Sequence, residues 1–247
     1  MASAEDNSLP SDKPVSVVVP AYNEEATLEA TIERILKTCG KCTKEFEIII
    51  CDDCSSDRTA EISKALVEKH VEVRGVRNEK NLGIAGTMKR LYTLAEKDWV
   101  FLIPGDNEYP PEALEEIMPM LDEYQFVVCR RTIKPYGGYR SLVSGCYHAL
   151  PKILFGIELY DPGSTKCGKR EIYSDIPLIS RGVFDEAERL IRAHYLGYRI
   201  GHVDIKQTSR DGGVATGART SLVIQAVVDM LRVWFELMIL RRGRKRT

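Results

Sequence analysis

Residues 15–25 read VSVVVPAYNEE, and this stretch decides the fold. Val15, Val17, Val18 and Val19 make a short β-branched run without polar alternation, the pattern of a strand buried on both faces. Polar side chains follow at once, Tyr22, Asn23 and Glu24. Leu28, Ile32, Ile35 and Leu36 then recur at helical spacing across 24–38. A buried strand that runs through a polar loop into a helix is the opening of a βαβ unit.

The same alternation continues outward. Strands are expected at 46–51, 71–76, 99–103, 126–129 and 198–205. Helices are expected at 57–69, from 83 to 96, and at 112–122, 183–196 and 219–240. Residues 131–181 are less regular. The fold class is α/β, a Rossmann-like, mostly parallel sheet flanked by helices, with an amphipathic C-terminal helix. Three regions are expected: a disordered polar leader (1–14), a catalytic α/β domain (15–218), and a helix with a basic tail (219–247).

A chain of 247 residues buries a substantial core without disulfides or metal staples. Hydrophobic residues at 44% and charged residues at 29% exclude collagen-like and disordered classes. The net charge is -1, but Arg241, Arg242, Arg244, Lys245 and Arg246 crowd the end. Bulk charge therefore gives no reason to expect nucleic acid, and the acidic body carries a basic tail. The leader has no apolar segment that would act as a secretory signal, so the seven cysteines are expected to be free thiols in a reducing compartment. Cys39-Gly-Lys-Cys42 and Cys51-Asp-Asp-Cys54 have zinc-like spacing. The short interval and the strand pattern through Cys51 favour incidental thiols. His70, His148, His194 and His202 have no metal-ligand spacing.

In open α/β sheets ligands sit at the carboxyl ends of the strands. Three expected strands end in acidic clusters: Asn23-Glu24, Asp52-Asp53 and Asp106-Asn107-Glu108. One such cluster is ordinarily a helix cap. Three on one edge suit a divalent metal holding a diphosphate, since Mg²⁺ takes one or two carboxylates and completes its shell with phosphate and water.

The segments VPAYNEE (19–25), IIICDDCSSD (48–57), NLGIAG (81–86) and PGDNEYPPE (104–112) together resemble the family 2 glycosyltransferases of the GT-A fold. Within it the chain is most similar to the dolichol-phosphate mannose synthase group of polyprenyl-phosphate glycosyltransferases, through Pro110-Pro111 and through Arg210-Asp211-Gly212-Gly213 with Thr216-Gly217. The resemblance implies a nucleotide-sugar donor, a polyprenyl-phosphate acceptor and a Mg²⁺ or Mn²⁺ cofactor. It implies that Pro20, Tyr22, Glu24, Asp52 and Asp53 line the base and ribose pocket, Asp52 foremost, with Asn81 and Gly83 beside them. Asp106 and Glu108 would hold the metal. Arg130 or Arg131, Arg140 and Arg210 would bind phosphate, for which the guanidinium fork is suited. Asp106 and Arg210 would be catalytic. Pro104 departs from the family pattern, standing where the first Asp of the metal motif belongs, and so weakens the metal expectation. Cys54 replaces a common Gly.

The implied reaction inverts the anomeric centre by in-line attack, with charge neutralised at the leaving diphosphate. A phosphate acceptor is already anionic and needs no strong base. A sugar hydroxyl acceptor would need one, with Asp185, Glu186 and Glu188 as candidates. Glu188 matches a recurrent family Glu, although a charge at a helix start equally complements the dipole.

Residues 222–240 are long enough to span a bilayer but carry Gln225, Asp229, Arg232 and Glu236 as one polar stripe. Such a helix lies in a membrane interface or packs on the protein, and the basic tail favours anionic headgroups. The expected location is the cytoplasm, peripherally at the cytoplasmic face of a membrane. Two rival readings remain open: transfer to a glycan or other hydroxyl acceptor, and a non-catalytic nucleotide-sugar-binding protein, the latter motivated by Pro104.

Overall fold

The computed structural model describes residues 10–132, 149–180, 182, 184–207 and 220–243. In chain order the elements are β1 (Val15–Ala21), α1 (Leu28–Cys42), β2 (Phe46–Asp52), α2 (Thr59–Lys69), β3 (Val73–Arg77), α3 (Gly83–Leu94), β4 (Trp99–Leu102) and α4 (Ala113–Met120). There follow β5 (Phe126–Arg131), α5 (149–155), β6 (Lys166–Lys169), α6 (Arg170–Ser174), α7 (Asp185–Tyr195), β7 (Ile200–Ile205) and α8 (Thr220–Trp234). A π-turn over Phe235–Ile239 closes α8.

The strands form one sheet in the order β3-β2-β1-β4-β6-β5-β7. All run parallel except β6, which is antiparallel to both β4 and β5. The expected mostly parallel α/β sheet is present. Both faces are covered, as the unalternating runs require: Ile48 and Ile50 of β2 enter one apolar layer with α1, α2 and α4. Ile49 and Cys51 enter the other, with α3, α5, α6, α7 and α8.

The structure departs from the sequence reading in four places. Strand β6 was not expected, because Lys166-Cys-Gly-Lys169 has no strand pattern. It forms because Lys166, 1% exposed, is neutralised inside the protein by Glu186 at 2.9 Å, and because Gly168 lets Phe126 lie against the backbone, where a Cβ would come within 2.6 Å of the ring. Helix α1 begins at Leu28 rather than 24, since residues 22–27 are taken up by loop contacts described below. Val71 is 96% exposed and lies outside β3. The leader is already anchored at Ser11, which bridges to Thr43.

The cysteine pairs are far apart in the fold. Cys39 and Cys42 lie in the last turn of α1, at the amino edge of the sheet, and Cys51 and Cys54 lie at the carboxyl edge. Burial pushes the thiols of Cys42 and Cys51 up to about 11 and that of Cys39 further still, so none is a ready thiolate.

Candidate active site

The carboxyl ends of the parallel strands share one edge with the loop entering β6, and the candidate residues gather there. Two loops make the floor beneath β1 and β2. Asn23 N–H donates to Ser55 Oγ (2.9 Å), and Ser56 N–H returns a bond to Asn23 Oδ1 (2.9 Å). Glu24 N–H donates to Thr59 Oγ1 (2.8 Å), Glu25 N–H to Asp57 Oδ2 (3.1 Å), and Arg58 N–H to Glu25 Oε2 (3.1 Å). This stitching holds Asn23 at φ +56°, a conformation Asn tolerates better than most residues. Pro20 is buried, and Tyr22, half-exposed, stands open at the rim.

Asp52 and Asp53 face opposite layers and do different things. Asp53 is 4% exposed, and its Oδ1 accepts from Asn78 Nδ2 (2.7 Å) and Leu82 N–H (2.8 Å), which pins the loop into α3. In that loop Asn81 Oδ1 accepts from Gly83 N–H (3.0 Å), and Gly83 takes φ +71°, where a side chain would be strained. Asp52 is 1% exposed; its Oδ1 accepts from Ser55 N–H (3.0 Å). Its Oδ2 is 3.0 Å from Arg77 Nε, yet among the described residues it accepts no aligned hydrogen bond. A buried carboxylate oxygen with an ion-pair partner but an unfilled lone pair is poised for a donor from a ligand. Of the two, Asp52 keeps Oδ2 without an aligned bond among the described residues, and Asp53 shapes the loop.

The loop after β4 is clamped to β1. Gly105 N–H donates to Pro20 O (3.0 Å), and Gly105 O accepts from Thr27 Oγ1 (2.9 Å) and Thr31 Oγ1 (3.2 Å). A Cβ at Gly105 would lie 3.3 Å from Leu28 Cδ1, a tight contact that the missing side chain relieves. Asp106 and Glu108 follow, half-buried; Glu108 N–H donates to Asp106 Oδ1 (3.1 Å), and Asn107 turns the chain at φ +57°. Two carboxylates on a tight turn suit a hard divalent cation. Among the described residues no third His, Cys, Asp or Glu converges on them. The protein would supply at most two charged ligands, leaving the remaining positions for phosphate oxygens and water.

Beyond β4 lies a buried ion pair. Arg131 grips Asp161 through Nε (2.7 Å) and Nη2 (2.9 Å), with side chains 12% and 3% exposed. Its Nη1 lies 3.4 Å from Tyr109 Oη and 3.5 Å from Gln207 Oε1, while Gln207 Nε2 donates to Glu108. Arg131 is thereby linked to the acidic loop. Tyr109, Asp161, Gln207 and Arg77 were not picked out by the sequence. Asp161 alone had a signal, the Asp-Pro-Gly turn.

Not every candidate joins the site. Strand parity sends Arg130 to the other face from Arg131, where it pairs with Asp204 (2.6 and 2.9 Å). Glu188 is fully buried, and its carboxylate accepts from Ile179 N–H (3.0 Å), Ser180 N–H (2.8 Å), Ser180 Oγ and Arg192 Nε (2.6 Å). Its lone pairs are occupied by internal donors, which makes it a packing hub and not the base it was a candidate for. Glu186 is likewise held by Lys166. Asp185 is half-buried at the N-terminus of α7, where burial raises its carboxyl to about 6. Arg140 and Arg210, with the Gly-rich loop after Arg210, lie outside the described residues.

The polar stripe of α8 is split. Asp229 is 2% exposed, and Glu236 pairs with Arg192, so both acids face the protein. Gln225 and Arg232 stay outside. Ala226, Met230, Val233 and Leu237 pack into the core, while Ile224, Val227, Val228, Leu231, Phe235, Ile239 and Leu240 are exposed. Among the described residues no helix is long and apolar enough to cross a membrane.

Residues 16–182 match the model of glycosyl transferase family 2. The chain is 38% identical over 153 residues to the undecaprenyl-phosphate 4-deoxy-4-formamido-L-arabinose transferase of Pectobacterium carotovorum, an overlap of 61% of this chain and 47% of that protein. It is 25% identical over 246 residues to glycosyltransferase AglD of Haloferax volcanii, covering 94% of this chain and 39% of that one. The chain thus spans about half the length, or less, of the curated relatives it matches. Glucosyl-3-phosphoglycerate synthase of Mycobacterium tuberculosis, solved with Mn²⁺, UDP and phosphoglyceric acid, superposes with a TM-score of 0.70 at 23% identity, covering 90% of this chain and 78% of that one. The fold is GT-A, as the sequence motifs implied.

Proposed function

The chain belongs to glycosyl transferase family 2, and from that premise we propose that it moves a sugar, with inversion, from a nucleotide-sugar donor to a polyprenyl phosphate at a membrane surface. The observation that carries the reading is the order of groups along the sheet edge. Asp52 with its unfilled Oδ2 comes first, then the acidic Asp106–Glu108 turn, then Arg131. A base, a diphosphate with its metal and an anionic acceptor need those partners in that order.

Asp106 and Glu108 would hold Mg²⁺ or Mn²⁺. The ion would neutralise charge on the leaving diphosphate. The chain's own part is positional. Asp52 accepts from the base or ribose, Tyr22 covers the rim, and Arg131, fixed by Asp161, places its positive charge towards an anionic oxygen. The acceptor phosphate attacks without a side-chain base, being already ionised near neutral pH. Relatives named as undecaprenyl-phosphate transferases support a lipid acceptor. So does the outer face of α8, which is apolar, free of acidic residues from 223 to 240, and followed by exposed Arg241 and Arg242. That face would lie on anionic headgroups at the cytoplasmic side of a membrane.

The reading is tested by presenting the protein with UDP- and GDP-sugars, Mn²⁺, and undecaprenyl or dolichyl phosphate in anionic liposomes, with lipid-linked sugar measured by mass spectrometry. A lipid product, lost when Leu231 and Phe235 on the exposed face of α8 are replaced by Asp while nucleotide binding persists, is the expected result. Transfer only to soluble glycans would overturn the acceptor assignment.

A further inference from the structure

Ser164 and Thr165 are 2% and 1% exposed, and neither hydroxyl has a hydrogen-bond partner among the described residues. Buried hydroxyls are normally satisfied, and leaving one unpaired is destabilising. Two adjacent ones on the functional edge of the sheet call for an explanation.

Their position supplies one. Cys129 N–H donates to Thr165 O (3.0 Å), which extends β6 by one residue towards the carboxyl edge. Continuing the registers Phe101↔Cys167 and Val127↔Cys167 sets Thr165 between Ile103 and Cys129. Alternation puts its side chain in the layer of Cys167, Cys129 and Tyr109, the layer that Arg131 also faces. The turn that presents both residues is rigid: Ser164 N–H donates to Asp161 O (2.9 Å), Asp161 is locked to Arg131, and a Cβ on Gly163 would lie 3.9 Å from the guanidinium. Along the edge, β6 is three strands from β2, about 14 Å from Asp52 at the usual strand spacing. The Asp106 turn lies between them.

A nucleotide sugar is a linear molecule of base, ribose, diphosphate and sugar. Laid from Asp52 across the Asp106 turn, its sugar reaches β6. Hydroxyls that both donate and accept match sugar hydroxyls, whereas a phosphate offers only acceptors and is met by Arg131. We propose that Ser164 and Thr165 bind hydroxyls of the transferred sugar and set which sugar is accepted. This deepens the glycosyltransferase reading and rests on it. A site built to pair with a substrate hydroxyl discriminates strongly against a sugar that lacks one, because its own buried groups are then left unpaired.

The experiment is calorimetric titration of the full chain with Mn²⁺, comparing UDP and GDP with their common sugar derivatives and reading the gain in affinity from the sugar. Thr165→Val keeps the shape and removes the hydroxyl, Ser164→Ala removes the other, and Thr165→Ser keeps a hydroxyl as control. The expected result is nucleoside diphosphate affinity within twofold of wild type, a loss of tenfold or more in the sugar's contribution for Thr165→Val and Ser164→Ala, and near wild-type behaviour for Thr165→Ser. Thermal midpoints should stay level or rise, since an unpaired buried hydroxyl has been removed. Unchanged sugar discrimination in the variants, or a wild type for which no sugar adds affinity, overturns the proposal while leaving nucleotide binding in place. A lowered midpoint for Thr165→Val marks the hydroxyl as structural and also overturns it. Failure of the wild type to bind either nucleoside diphosphate removes the donor reading, and this proposal with it.

Discussion

Arg131 and Asp161, 30 residues apart in the chain, face each other through two parallel hydrogen bonds of 2.7 and 2.9 Å in a nearly closed pocket. The pair joins the end of β5 to the loop entering β6. Removing one partner leaves the other buried and unpaired. Asp161→Asn is therefore expected to destabilise the fold by about 3–5 kcal/mol, read from urea unfolding midpoints. Arg131→Lys should lose transfer activity despite its retained charge, since an ammonium cannot make the bidentate contact.

Asp52→Ala removes a buried acceptor whose Oδ2 is not used by an aligned bond within the protein. Nucleotide affinity should fall by about 1–3 kcal/mol, measured by titration of UDP and GDP. Wild-type affinity in a folded Asp52→Ala protein would take Asp52 out of the pocket.

Asp106→Asn preserves shape and removes charge. Divalent-dependent donor turnover should drop by about two orders of magnitude, with the circular dichroism spectrum unchanged. Full wild-type activity in excess chelator would mean that the arginines alone neutralise the diphosphate.

Glu188→Gln separates a hub from a base. Arg192 would keep Glu236 but lose its buried partner, so a loss of about 3 kcal/mol in unfolding free energy is expected. A variant of normal stability and abolished transfer would restore Glu188 to catalysis.

Asp185 gives the stability a pH dependence. Burial lifts its carboxyl to about 6 in the folded protein against about 3.9 when unfolded. Between those values the folded state holds the extra proton, so this group's contribution falls as pH rises from about 4 to about 6 and is level above. Asp185→Asn should melt higher than wild type at pH 7.5, with the gap closing towards pH 4. A gap independent of pH would deny the raised carboxyl.

The parallel core was legible because strands buried on both faces cannot hide their apolar runs, and the loops that follow them carry the polar residues. Asp52, Asp106 and Glu108 were expected at the carboxyl edge of the sheet in this way, and that is where they lie. Strand β6 was not legible, because its place is set by a buried Lys166–Glu186 pair and a missing Cβ at Gly168, both products of tertiary contact. Arg130 and Arg131 are equal as sequence, and only strand parity separates them. Glu188 reads as a helix-start charge until Arg192 and the 179–180 backbone are seen around it. The α8 stripe showed its periodicity but not its direction, which depends on where Arg192 sits.

The reversal of β6 has a consequence for how the chain comes apart. It inserts a late segment between β4 and β5, so β5 and β7 join the rest of the sheet only through β6. A fragment stopping before residue 166 would leave β4 as an open edge carrying Trp99 and Phe101, an invitation to pair with another molecule.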